Sequence, residues 1–203
     1  VLAVGVTLAV VAGLLYGLGR LGDEARRRVG PRERYTVRFA DIECDTPPGL
    51  DRPKFLAEVR YVGKLPETFN VIAEDATERL TAGFAAHPWV KAVEGIDIDP
   101  QARVRVRLRF RVPVLAIRIL HSDVPVLVAD DFVALPLSPV PPGVTEYGGQ
   151  WHDPRPSPGE VWKDENVRRA VELAIAYHPM RLDMTLEGWR LTMPDGKVLV
   201  IGP

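Results

Sequence analysis

Apolar and polar residues alternate strictly over residues 103–112: Val104, Val106, Leu108, Phe110 and Val112 sit between Arg103, Arg105, Arg107, Arg109 and Arg111. Successive strand side chains point to opposite faces, so this period predicts a strand with one packed face and one arginine face. The same alternation, Tyr35, Val37 and Phe39 against Thr36, Arg38 and Ala40, predicts a first strand over residues 35–43. Between them the period changes. Asp51 and Pro53 supply an N-cap and a first-turn proline for a short helix that places Phe55, Leu56, Val59 and Val62 on one side. Ile72, Ala73, Ala76, Leu80 and Phe84 then fall at helical spacing over residues 70–86, and His87-Pro88 stops that helix, because the residue before proline is pushed out of the α region. Residues 89–98 read as a strand, with Trp89 plugging the joint between helix and sheet and Asp99-Pro100-Gln101 as the turn into the arginine strand.

Strand, helix, helix, strand, strand predicts a small α+β layer with its helices on one sheet face. Further extended segments follow at residues 115–121 and 124–129, with Asp130-Asp131 as a turn and residues 132–135 as a short piece beyond it. Residues 136–159 are rich in proline and glycine and lack periodicity, which predicts a long irregular surface connection. Asp164 caps a helix carrying Val167, Ala170, Val171, Ala174 and Ile175, and His178-Pro179 ends it. Residues 182–186 and 189–193 read as strands broken at Gly188, and Pro194-Asp195-Gly196 turns the chain into a last strand over residues 198–201. This second part is a mostly antiparallel β unit with one helix.

Residues 1–18 carry no charge, and as a helix they span about 27 Å, close to the hydrocarbon thickness of a bilayer. The apolar run is longer than a signal-peptide core, so the expectation is an uncleaved transmembrane helix over residues 1–19. Ala9, Gly13 and Gly17 recur every fourth residue and are candidates for packing against a second membrane helix. Residues 20–34 form an arginine-rich stalk whose basic side chains attract anionic lipid by about 1 kcal/mol each. The chain starts in mid-pattern on valine, and a preceding basic segment is expected.

Composition narrows the functions. A formal charge of -1 on 203 residues lacks the overall positive field of a nucleic-acid binder, so the arginine face is local. Cys44 is the lone cysteine and can form neither an intramolecular disulfide nor a cysteine-based zinc framework. Of the four histidines, His87 and His178 precede prolines, while His121 with Asp123 and His152 with Asp153 lie in turn sequences. No nucleophile elbow, phosphate-binding glycine loop or zinc spacing occurs. The expectation is no enzyme, no cofactor, no metal and no small-molecule substrate. For Arg103, Arg105, Arg107, Arg109 and Arg111 three roles stay open: a solvated face paired with carboxylates such as Asp97 and Asp99, a dock for an acidic partner or lipid headgroups, or nucleic-acid contact.

His87-Pro88-Trp89-Val90-Lys91-Ala92-Val93, the hairpin, and Phe110-Arg111-Val112-Pro113-Val114-Leu115-Ala116 resemble the POTRA domain of the FtsQ/DivIB family of bacterial cell-division proteins. The stretch from Gly188-Trp189-Arg190-Leu191 through Pro194-Asp195-Gly196 to Gly202 is similar to the tryptophan hairpin of that family's β domain, and Val126-Leu127-Val128-Ala129-Asp130 to the strand that opens it. The resemblance implies a POTRA-like β-α-α-β-β domain over residues 35–122 and a β domain, incomplete at its C-terminus, over residues 123–203. It further implies a single-pass inner-membrane protein with its bulk on the extracytoplasmic side. Such a protein is a non-enzymatic scaffold that gathers bitopic division proteins of the FtsB and FtsL type by strand pairing and helix contact. Partner-binding candidates are the five arginines with Trp189, Val198 and Val200. The alternatives are a POTRA-bearing adaptor of another envelope secretion or assembly system and a membrane-tethered hydrolase.

Overall fold

Asp51 starts the first helix as its side chain accepts the Lys54 backbone N–H at 2.9 Å. In the computed structural model, which describes Tyr16, Arg20 and residues 35–120, 122, 124–137, 139–151 and 155–202, this helix is α1 (Arg52–Val62), with Pro53 in its first turn. A second helix, α2 (Ala76–Ala85), ends at Ala86, just ahead of His87-Pro88. Both lie against a three-stranded sheet in the order β2-β5-β4, where β2 (Glu43–Cys44) runs parallel to β5 (Val104–Phe110) and β4 (Val90–Ile98) antiparallel to it. A small antiparallel ribbon of β1 (Thr36–Arg38) and β3 (Thr68–Asn70) completes this module. Val104, Val106 and Leu108 bury their side chains against Phe39, Phe55, Leu56, Val59, Leu80 and Phe84.

The second module is a six-stranded mixed sheet in the order β11-β10-β9-β8-β6-β7. Its strands are β6 (Pro113–Ile119), β7 (Val126–Ala129), β8 (Thr145–Trp151), β9 (Arg181–Thr185), β10 (Gly188–Thr192) and β11 (Val198–Ile201). One face carries α3 (Glu165–Tyr177), whose Asp164 cap accepts the N–H groups of Asn166 and Val167. Val167, Ala170 and Val171 pack there on Leu115, Ile117, Tyr147, Leu182, Trp189 and Leu191. The chain is therefore α+β, with three helices among the described residues.

Several expectations change in detail. The first strand stops at Arg38, where Phe39–Asp41 forms a 3-10 turn before the chain rejoins a sheet as β2. The helix expected over residues 70–86 begins only at Ala76; Asn70 ends β3, and its side chain accepts the Ile72 N–H at 3.0 Å. Residues 136–159, expected to be irregular, contain β8, which lies between β6 and β9 and pairs parallel with both. Residues 113–119, expected in the first module, hydrogen-bond in the second sheet as β6, so the modules meet at residues 111–112. The expected membrane segment with Ala9, Gly13 and Gly17, most of the stalk, and His121, Asp123, His152 and Asp153 lie outside the described residues. No helix among the described residues is long and apolar enough to cross a membrane.

Replacing Asp164 by Ala removes the acceptor for two N–H groups at the start of α3 and is expected to lower the unfolding free energy by about 1 kcal/mol, read by urea denaturation.

Candidate functional site

The arginine strand carries its own counter-ions. Arg103 Nε lies 2.6 Å from Asp99, Arg105 Nη2 lies 2.9 Å from Glu43, Arg107 pairs with Asp97, and Arg109 Nε lies 3.4 Å from Glu94. Gly95 makes room for the third pair, because the Arg107 guanidinium lies where a side chain's first carbon would sit. The Arg103 backbone N–H, and then its side chain, hold the Asp99 carboxyl below the usual carboxylate range; hydrogen bonding from Arg105 does the same for Glu43. Exposed pairs of this kind add little stability. They do cancel the field: the face presents alternating signs, and Asp97 and Asp99 are the partners that the alternating pattern suggested.

Arg111 departs from the other four. Its side chain is 17% exposed, its Nε meets Asp131 at 2.9 Å, and its Nη1 donates to the carbonyls of Pro88 and Val90, both at 2.7 Å. These contacts tie the start of β4 to the turn after β7. Beside them Lys91 Nζ meets Asp130 at 2.7 Å, and Trp89, 1% exposed, packs on Ala116, Leu127, Ala129 and Leu135. Trp89 thus plugs the joint between the two modules. Val112, expected on the packed face, is exposed because β5 ends at Phe110.

His87 is buried at the same joint. Its Nδ1 accepts the Trp89 backbone N–H at 3.3 Å, leaving Nε2–H to donate to Glu58 at 3.3 Å, while Phe55 meets the ring edge-on. Burial pushes the His87 pKa below its ordinary value, against the opposing pull of Glu58.

The sheet edges differ in how they are guarded. The outer edge of β7 is covered by the chain itself, through the bridge between Val128 and Ala134 and the Leu135 N–H bonded to the Leu127 carbonyl at 2.8 Å. The outer edge of β4 is interrupted by register shifts at Val90/Ala92 and Val93/Gly95 and carries Lys91, Glu94 and Asp97. Bulges and charges are the usual protection of an open edge. β11 has neither: it pairs with β10 without a shift, and its four residues are Val-Leu-Val-Ile. Val198 and Val200 are 53% and 57% exposed on the face away from α3. Gly188, at φ +120°, begins the neighbouring strand so close to the Ile201 carbonyl that a side chain would strike it. Trp189, expected to face a partner, is instead 5% exposed, in the core against Tyr147, because its register partner Ile201 faces α3.

The pattern of the chain gave no sign of an ion network on the open face of the second sheet. There Arg118 meets Glu146 at 2.8 Å, Glu146 meets Arg181 at 3.8 Å, and Arg181 meets Asp183 at 3.1 Å. Charges spaced two apart on β9 were the available signal, but their partners sit on β6 and on the unforeseen β8. Among the described residues no group of three or more His, Cys, Asp or Glu side chains could hold a metal ion. No family model matches the chain, and no curated protein is significantly similar to it.

Two outcomes check the joint. Arg111→Ala leaves Asp131 and two carbonyls without their donor and is expected to cost roughly 2–3 kcal/mol in chemical denaturation. The second concerns pH. The unfolded state takes up a proton at His87 near pH 6.5 while the fold resists it, so stability falls as pH drops below about 7. His87→Gln is expected to flatten that fall in denaturation midpoints measured across the range.

Proposed function

We propose that this chain is a membrane-anchored, non-enzymatic scaffold of the bacterial cell-division complex, of the kind found in the FtsQ/DivIB family. In this reading residues 1–19 cross the inner membrane, residues 20–34 lead away from it, and the two modules stand on the extracytoplasmic side. The first module takes the POTRA role and the second the β-domain role. Bitopic division proteins of the FtsB and FtsL type are gathered by adding a strand to the sheet.

The observation that carries the reading is β11. It is an edge strand with four apolar residues, no charge and no bulge, beside a β7 edge that is covered and a β4 edge that is guarded. A strand laid along it continues the main-chain ladder, and its alternate side chains meet Val198 and Val200 on one face and Leu199 and Ile201 on the other. That alternation asks for a partner strand apolar on both faces. The self-neutralised arginine face supports assigning the contact to β11 rather than to β5.

The test is co-purification from native membranes with the double variant Val198→Lys, Val200→Lys. Both side chains are exposed, so the fold is expected to keep its thermal midpoint while capture of small single-span proteins falls about tenfold or more. Undiminished capture contradicts the reading. Capture of secretion or outer-membrane assembly proteins in place of division proteins assigns the scaffold to another envelope system.

A further inference from the structure

The two parallel neighbours β8 and β9 pair over only two positions, Glu146 with Arg181 and Tyr147 with Leu182. Beyond them the register between β6 and β8 jumps from Ile117/Tyr147 to Arg118/Gln150, so Gly148 and Gly149 bulge out of the ladder. β9 runs on to Thr185 without β8 beside it. The strands part, and a cavity of about 480 Å³ opens between them, lined by Tyr147, Trp151, Asn166, Asp183 and Met184 with the two glycines as its wall. This lies within the usual range of about 300–1,000 Å³ for small-molecule pockets.

The lining is built to hold its shape. The Trp151 ring is set edge-to-face against the buried Trp162 at 5.1 Å. A side-chain carbon on Gly148 would coincide with the Asp183 carboxylate, and one on Gly149 would press on the Tyr147 ring, so larger residues there would fill the space. Two lining residues carry polar groups that make no hydrogen bond among the described residues: Tyr147, only 7% exposed, through its hydroxyl, and the exposed Asn166 through its side-chain amide. Burial, with the nearby Asp164 charge, pushes the Tyr147 pKa up, so its O–H stays available to donate.

Charge decides the class of ligand. Among the described residues the one ionised group of the lining, Asp183, is matched by Arg181, whose Nε lies 3.1 Å from each carboxylate oxygen. Among the described residues no unpaired cation lines the cavity to receive a phosphate, and no unpaired anion to receive an ammonium. What remains is aromatic surface, one amide and one hydroxyl around a neutral space. Aromatic faces attract the weakly positive C–H groups of a flat apolar surface, while amide and hydroxyl groups satisfy ring hydroxyls. We infer that this cleft between β8 and β9 binds a neutral pyranose sugar, stacked on Trp151 and hydrogen-bonded by Asn166 and Tyr147. Glycoside hydrolysis needs a pair of carboxyl groups flanking the bond. Among the described residues Asp183 is the one carboxyl group of the lining, so the inference is of sugar binding.

The test is calorimetric titration of the full chain, held in a detergent without a sugar headgroup, with chitotriose and with cellotriose. Saturation-transfer NMR identifies the protons in contact. Saturable binding of at least one trisaccharide is expected, weakened about tenfold or more by Asn166→Ala and by Trp151→Ala. Asn166 is exposed at the start of α3, so its variant remains informative if the loss of Trp151 disturbs the fold. The inference is overturned by no binding of either sugar up to about 10 mM, a concentration that detects interactions of only a few kcal/mol. Equal affinity in Asn166→Ala overturns it too, as does exclusive binding of a proline-rich peptide. Because β11 is not touched, partner capture through that edge is unaffected by either variant, and the two readings fail independently.

Discussion

Arg111 is the residue on which the architecture turns. Its guanidinium satisfies the carbonyls of Pro88 and Val90 as the chain leaves α2 for β4, and it ties both to Asp131 at the end of β7. Three acceptors that would otherwise lack a donor at a half-buried junction are met by one planar cation, a geometry that a lysine point charge does not reproduce. Around it Trp89 fills the space between the sheets with apolar surface, and Lys91 adds a second ion pair to Asp130. Two small modules that share only residues 111–112 as a covalent link are thereby held as one body.

That junction decides which surfaces of the second sheet remain open. With β6 and β7 occupied by the joint and α3 covering one face, the second sheet has, among the described residues, a single unguarded boundary at β11. The cleft beside β8 lies midway, where parallel pairing gives out after two residue pairs. The arginine face, the most conspicuous feature of the chain as a string of letters, is electrostatically closed, since four exposed arginines are answered by Glu43, Glu94, Asp97 and Asp99.

Local rules made much of the fold legible in advance. Asp51 and Asp164 mark helix starts, His87-Pro88 and His178-Pro179 mark helix ends, and the alternation around Val104, Val106 and Leu108 assigns the packed face correctly. What escaped depended on distant partners. β8 pairs parallel with strands far away in the chain, and Gly148-Gly149 breaks its period, so no local window reveals it. Arg111 continues the pattern of Arg109, and only the arrival of Asp131 separates a joint residue from a surface one. Trp189 was expected to face a partner, yet it is buried, on the same sheet face as its cross-strand neighbour Ile201. The site candidates Val198 and Val200 are exposed and apolar, on the strand that the hairpin turn at Pro194-Asp195-Gly196 predicted.

Under the proposed function, partners pair with β11 of the two-module body. Site-specific photo-crosslinking in native membranes tests it most directly, with the reactive side chain placed at Val200 in one experiment and at Arg107 in another. Crosslinks are expected from position 200 to small single-span membrane proteins, and none to them from position 107. Crosslinks to such proteins from position 107 alone, with position 200 silent, contradict it.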